Sequence, residues 1–173
     1  MIGRNVEIKA RVNDFDRVQS LVAKIADSGP IDILQEDTFF NCRKGRLKIR
    51  KFSDSDGELI YYNREINFKP TECTYTIVKT SEPDAIGKVL GESLGIRGVI
   101  RKRRTIFITG QTRIHLDDVD GLGKFVELEV VLSPEQNVSD GMSITISLME
   151  KLGISEADLI DSAYIDMIES GTV

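Results

Sequence analysis

Polar and apolar residues alternate with a period of two along much of this chain. The pattern is sharpest at residues 125–132, where Glu127 and Glu129 take one side and Val126, Leu128 and Val130 the other. Residues 46–50 repeat it, with Arg46, Lys48 and Arg50 opposite Leu47 and Ile49. So do residues 6–10, with Glu7 and Lys9 opposite Val6, Ile8 and Ala10. A period of two predicts strands with one buried face. Further extended stretches are expected at 31–41, 59–64, 75–80, 99–109 and 113–118, separated by Gly-containing turns near Gly45, Gly57, Gly110 and Gly121. Helical spacing appears four times. Val18, Leu21, Val22 and Ile25 form a stripe over 14–28, with Asn13 or Asp14 as cap and Gly29-Pro30 as stop. Ser81 is expected to cap a second helix, with Pro83 in its first turn and Gly95 at its end. A third runs from Ser139 or Asp140 to near Gly153. A capping-box pattern from Ser155 to Asp158 predicts a last helix through Tyr164 and Ile168.

About eight strands in mostly antiparallel order, with helices at the start, middle and end, predict an α+β fold. That many strands can close into a β-barrel. The 173 residues are 40% hydrophobic and 29% charged, as expected for a globular chain with a real core. No apolar run approaches a membrane span, and no signal-peptide core is expected at the N-terminus. Cys42 and Cys73 are too few for a disulfide scaffold or a zinc site, so a reduced, cytoplasmic protein is expected. The net charge of −5 argues against a nucleic-acid-binding surface.

Collecting one face from each clear strand changes the picture. It gathers Glu7, Lys9, Arg11, Arg46, Lys48, Arg50, Lys102, Arg104, Arg113, His115, Asp117, Glu127 and Glu129. Eight cations stand against four acids, in a chain that is acidic overall. Residues 99–109 leave their own facing open, because Arg101 and Arg103 lie opposite Lys102 and Arg104. Two readings fit this face. One is a set of salt-bridge ladders on a solvated sheet. The other is a wet barrel interior, with the apolar side chains pointing outward to helices. There, converging Lys and Arg suit a polyphosphate, and the carboxylates suit hard Mg²⁺ or Mn²⁺.

The same residues carry a resemblance. The chain is similar to the CYTH superfamily, the triphosphate tunnel metalloenzymes, along nearly its whole length. The family's Glu-x-Glu-x-Lys signature stands here as Asn5, Glu7 and Lys9. Its basic strand matches Arg46, Lys48 and Arg50, and its Lys-x-Arg pair matches Lys102 and Arg104. Its later acid matches Asp117, and its Gly-Leu-Gly turn and acidic strand match Gly121 to Glu129. Ser162 and Tyr164 match a C-terminal motif of cyclase-like members.

The resemblance implies one CYTH-like domain, an eight-stranded antiparallel triphosphate tunnel with helices packed outside. It implies Mg²⁺ or Mn²⁺ as cofactor, held by Glu7, Glu127 and Glu129, with Asp117 a further candidate. It implies phosphate binding by Lys9, Lys48, Arg50, Arg64, Lys102 and Arg104, with Lys9, Arg50, Lys102 and Arg104 closest to the chemistry. Asn5 departs from the signature, because an amide brings no charge to a second metal site. The expected activity is metal-dependent hydrolysis of a small-molecule triphosphate: inorganic tripolyphosphate, thiamine triphosphate or a nucleoside triphosphate. The alternatives are an adenylate cyclase making cyclic AMP and pyrophosphate, and a non-catalytic polyphosphate- or nucleotide-binding domain. Family analogy also allows a homodimer. His115, the one histidine, is read as a lining residue, and Tyr61 and Tyr62 as packing residues.

Overall fold

The computed structural model of the chain describes residues 2–64 and 69–171. Eight strands are present among them: β1 (Ile2–Ala10), β2 (Ser28–Phe40), β3 (Arg46–Ser53), β4 (Asp56–Arg64), β5 (Thr71–Thr80), β6 (Ile96–Thr109), β7 (Thr112–Val119) and β8 (Gly123–Val131). They close into a barrel in the order β1-β5-β4-β3-β2-β6-β7-β8, with every neighbouring pair antiparallel. Closure leaves no free strand edge. Four α-helices accompany the barrel: α1 (Phe15–Ile25), α2 (Pro83–Leu94), α3 (Val138–Leu152) and α4 (Tyr164–Ser170).

The main hydrophobic core lies outside the barrel. Ile8, Ala10, Ile114, Leu116, Val126 and Leu128 point outward and pack on Val18 and Val22 of α1 and on Leu148, Met149 and Leu152 of α3. Burying each large aliphatic side chain contributes about 1.5–3 kcal/mol. A one-residue slip of any of these strands would forfeit its whole outward set. This packing forces the alternate, charged residues inward. Gly141 permits the close approach of α3, because a Cβ there would sit 2.7 Å from Val6 Cγ2 and 2.8 Å from Leu132 Cδ2.

A second cluster closes one end of the barrel. Tyr164, Ile165 and Met167 of α4 pack on Phe39, Ile100, Val119, Leu122 and Phe125. Gly98 makes room for this, since a Cβ there would lie 2.5 Å from Ile165 Cδ1. Arg97 clamps the helix from outside through Asp166 and Glu169.

Three expectations are corrected. The first helix ends at Ile25, not Ser28, and Gly29-Pro30 lies inside β2 at a register shift. The ladder to β6 already starts at Ser28, which draws the chain out of the helix; a bulge is where a sheet tolerates proline. The second helix is capped at Glu82, and Thr80 Oγ1 rather than Ser81 takes up the Glu82 amide. The capping box at Ser155 forms, but it closes only a 3₁₀ turn, Glu156–Asp158. Leu159 then bridges to Ala10, and the Ile160 amide bonds to the Lys9 carbonyl, so the chain runs extended before α4 begins.

Candidate active site

The barrel encloses a cavity of about 710 Å³ lined from all eight strands. Nine Lys or Arg and six Asp or Glu face it, so the lining is cationic in a chain of net charge −5. Unpaired charges at such a depth are very costly, and the lining is organised around buried acids that pair them.

Two of these acids hold a cation pair each. Asp37 on β2 accepts from Lys48 Nζ at 2.6 Å and from Arg50 Nε at 2.7 Å, both on β3. Asp117 on β7 accepts from Arg104 Nε at 2.6 Å and Lys102 Nζ at 3.2 Å on β6, and from the Tyr164 hydroxyl at 2.9 Å. Burial opposes ionisation of Asp117, but Arg104 and Lys102 outweigh it and hold the carboxyl at about 2. Asp37 is likewise held well below the usual carboxylate range: Arg50 and Lys48 prevail over burial. Burial, reinforced by Arg50, pushes the Lys48 ammonium down to about 7 against the pull of Asp37.

The acidic wall follows from register. On β8, Glu127 stands beside Lys9 of β1 and His115 of β7, and Glu129 beside Glu7 and Arg113. Lys9 Nζ lies 3.4 Å from Glu127 Oε1, donates to the Ser162 carbonyl at 3.1 Å and sits 3.7 Å from the Tyr164 ring centre. Arg104 also reaches Glu127. Arg113 pairs with Glu129 at 2.9 Å and Arg64 with Glu7 at 3.2 Å. Burial raises Glu7 despite Arg64, with Glu129 and Glu127 adding to the rise. Burial is overcome at Glu127, which Arg104 and Lys9 hold well below the usual range. Burial, with Arg104 nearby, lowers His115 below the ordinary imidazole value. One donor atom each from His115, Glu127 and Glu129 lie within 4.8 Å of one another.

The tunnel brings together Glu7, Lys9, Lys48, Arg50, Arg64, Lys102, Arg104, Glu127 and Glu129. Asn5 lines it as well, its Oδ1 buried and without a hydrogen-bond partner among the described residues. Asp117 stands apart: it is fully buried behind the lining, bonded to Lys102, Arg104 and Tyr164. Arg11 leaves the charged face, donating to the Leu122 carbonyl at 3.1 Å and covering the Phe125 ring. The open question at β6 is answered. Lys102 and Arg104 are buried, whereas Arg101 and Arg103 are exposed, and Arg101 pairs with Glu36. Asp37 escaped the sequence reading, although Ile33, Gln35, Asp37 and Phe39 mark the inward face of β2.

A family model described as the CYTH domain matches residues 3–164. The chain belongs to the CYTH domain family. Among curated CYTH relatives, adenylate cyclase CyaB of Aeromonas hydrophila is 26% identical, over 95% of this chain and 88% of that one. Among solved structures, the PH1012 protein of Pyrococcus horikoshii has the same fold, with a TM-score of 0.83 at 24% identity over 94% of this chain and 98% of that one. HpAC1 from Hippeastrum, described with a dominant triphosphatase activity, shares the fold at a TM-score of 0.66 and 13% identity, over 99% of this chain and 97% of that one. The proteins it resembles thus include one named an adenylate cyclase and, in fold, one described with triphosphatase activity. Among the described residues, no helix is long and apolar enough to cross a membrane.

Proposed function

We propose that the tunnel binds a triphosphate together with Mg²⁺ or Mn²⁺ and hydrolyses it. The observation carrying this reading is the arrangement of Lys48 and Arg50 on Asp37, and of Lys102 and Arg104 on Asp117, around one lumen shared with Glu127 and Glu129. Cations locked by a buried acid are preorganised: they meet developing negative charge without first reorganising.

The donor set fits a divalent ion. Glu127 and Glu129 are the ligands assigned here, with Glu7 nearby across the β1–β8 ladder. Asp117 is assigned to holding Lys102 and Arg104, because it is fully buried behind the lumen lining, whereas Glu127 and Glu129 face the lumen. A divalent ion supplies polarisation of phosphoryl oxygens and a more acidic bound water. Lys9, Lys48, Arg50, Arg64, Lys102 and Arg104 bind and align the phosphates. As water forms its bond to phosphorus and the anhydride P–O bond breaks, Arg50, Lys102 and Arg104 offset charge on the departing diphosphate. The hydrolytic activity described for HpAC1 is consistent with this. The free thiols Cys42 and Cys73 suit a reducing, cytoplasmic setting.

A second reading is adenylate cyclase. The CyaB relative favours it, and so do Ile33, Phe52, Ile60, Ile77 and Ile106, which give the same lumen an apolar stretch that suits a nucleobase. Incubation with tripolyphosphate, thiamine triphosphate and ATP, each with Mg²⁺ or Mn²⁺, separates the readings. Orthophosphate identifies the hydrolase, and cyclic AMP with pyrophosphate the cyclase. Tight binding without product identifies a polyphosphate-binding domain.

A further inference from the structure

His115 is the chain's one histidine, and the phosphate-binding assignments above do not use it. Its side chain is 4% exposed, yet Nδ1 has no hydrogen-bond partner among the described residues. A buried polar atom left unpaired costs about 1–3 kcal/mol and calls for an explanation. Nδ1 faces both acids of the metal wall, 3.7 Å from Glu127 Oε2 and 3.6 Å from Glu129 Oε1. Both separations are too long for hydrogen bonds. They suit three donors around a shared ion: at bond lengths of about 2.1 Å, neighbouring octahedral ligands lie about 3 Å apart. His115 and Glu127 are directly paired across β7 and β8, and Glu129 shares the inward face of β8 with Glu127.

We propose that His115 Nδ1 is a direct metal ligand, completing with Glu127 and Glu129 a mixed nitrogen–oxygen site that selects first-row transition ions over Mg²⁺. Imidazole binds such ions well, whereas Mg²⁺ prefers oxygen donors and retained water. The inference rests on the metal-dependent reading above and adds to it a ligand and an ion preference. Mn²⁺ is the stringent probe, being the weakest binder in the transition-metal order.

The test uses the untagged full chain with MnCl₂, read by electron paramagnetic resonance rather than turnover. Pulsed spectra of bound Mn²⁺ show ¹⁴N modulation that changes to the ¹⁵N pattern when the protein carries [¹⁵N]histidine. His115→Gln lowers Mn²⁺ affinity by about tenfold or more, and Mg²⁺ affinity, measured by competition, by about threefold or less. Mn²⁺ binding that depends on Glu127 but carries no histidine coupling overturns the inference and leaves the metal reading standing. If Mn²⁺ fails to bind even with tripolyphosphate present, both fall. Should His115→Gln not fold, the labelled wild-type spectrum decides alone.

Discussion

Arg104 and Asp117 stand opposite each other on β6 and β7, with Arg104 Nε 2.6 Å from Asp117 Oδ1. Arg104 also reaches Glu127, so one guanidinium links the buried anchor to the acidic wall. Asp37 plays the same anchoring part for Lys48 and Arg50 on the adjoining β2–β3 wall. The tunnel's charges are therefore placed by acids that the substrate need not touch.

Replacing Asp117 by Asn tests the anchor through stability. The Asp117 carboxyl is held at about 2, below its ordinary 3.8. An acid with a depressed folded pKa stabilises the fold above its unfolded value and loses that contribution as pH falls through the folded one. The contribution is about 2 kcal/mol, lost between about pH 4 and pH 2. Urea unfolding of wild type and Asp117→Asn should differ at pH 6 by at least that amount, and the gap should narrow toward pH 3. A gap independent of pH would count against the anchor.

If the lumen binds polyphosphate as proposed, Lys48 makes that binding sensitive to pH. Burial and Arg50 bring its ammonium down to about 7, so in the free protein it loses its charge as pH rises through neutrality. Tripolyphosphate affinity, measured by calorimetry, should weaken between pH 6 and pH 8.5. Lys48→Met should weaken binding about tenfold at pH 6 and remove most of that pH dependence. An unchanged slope in the variant would assign the dependence to another group.

Gly98→Val tests the closed end of the barrel. The added Cβ would lie 2.5 Å from Ile165 Cδ1. Overpacking of this kind costs about 1–3 kcal/mol. Hydrogen exchange should show faster opening of α4, while the ladders of β7 and β8 keep their protection. Unaltered exchange in α4 would mean that Ile165 has room to move aside.

The barrel was legible because β1, β3 and β8 carry a clean period of two. What made the pattern informative was the excess of cations on one face. Residues 101–104 are all cationic, so alternation could not orient β6; the pairing of Arg104 with Asp117 orients it. Asp37 was obscured because Leu34 and Glu36 on the opposite face of β2 are both substantially exposed, and no apolar outer face marked the strand. The division of the C-terminal helix was invisible for a different reason. A capping box looks the same before a 3₁₀ turn as before a long helix, and the bridge from Leu159 to Ala10 is a tertiary contact. The facing of His115 was legible from its position between Arg113 and Asp117, but its unpaired Nδ1 was not.

The central claim is that Glu127 and Glu129 hold the ion on which triphosphate hydrolysis depends. Its most direct measurement is orthophosphate release from tripolyphosphate at saturating Mg²⁺ or Mn²⁺, for wild type and for folded Glu127→Gln. The account predicts release that stops with chelator and falls by about tenfold or more in the variant. Equal turnover by the variant, or release that survives complete removal of divalent metal, would contradict it.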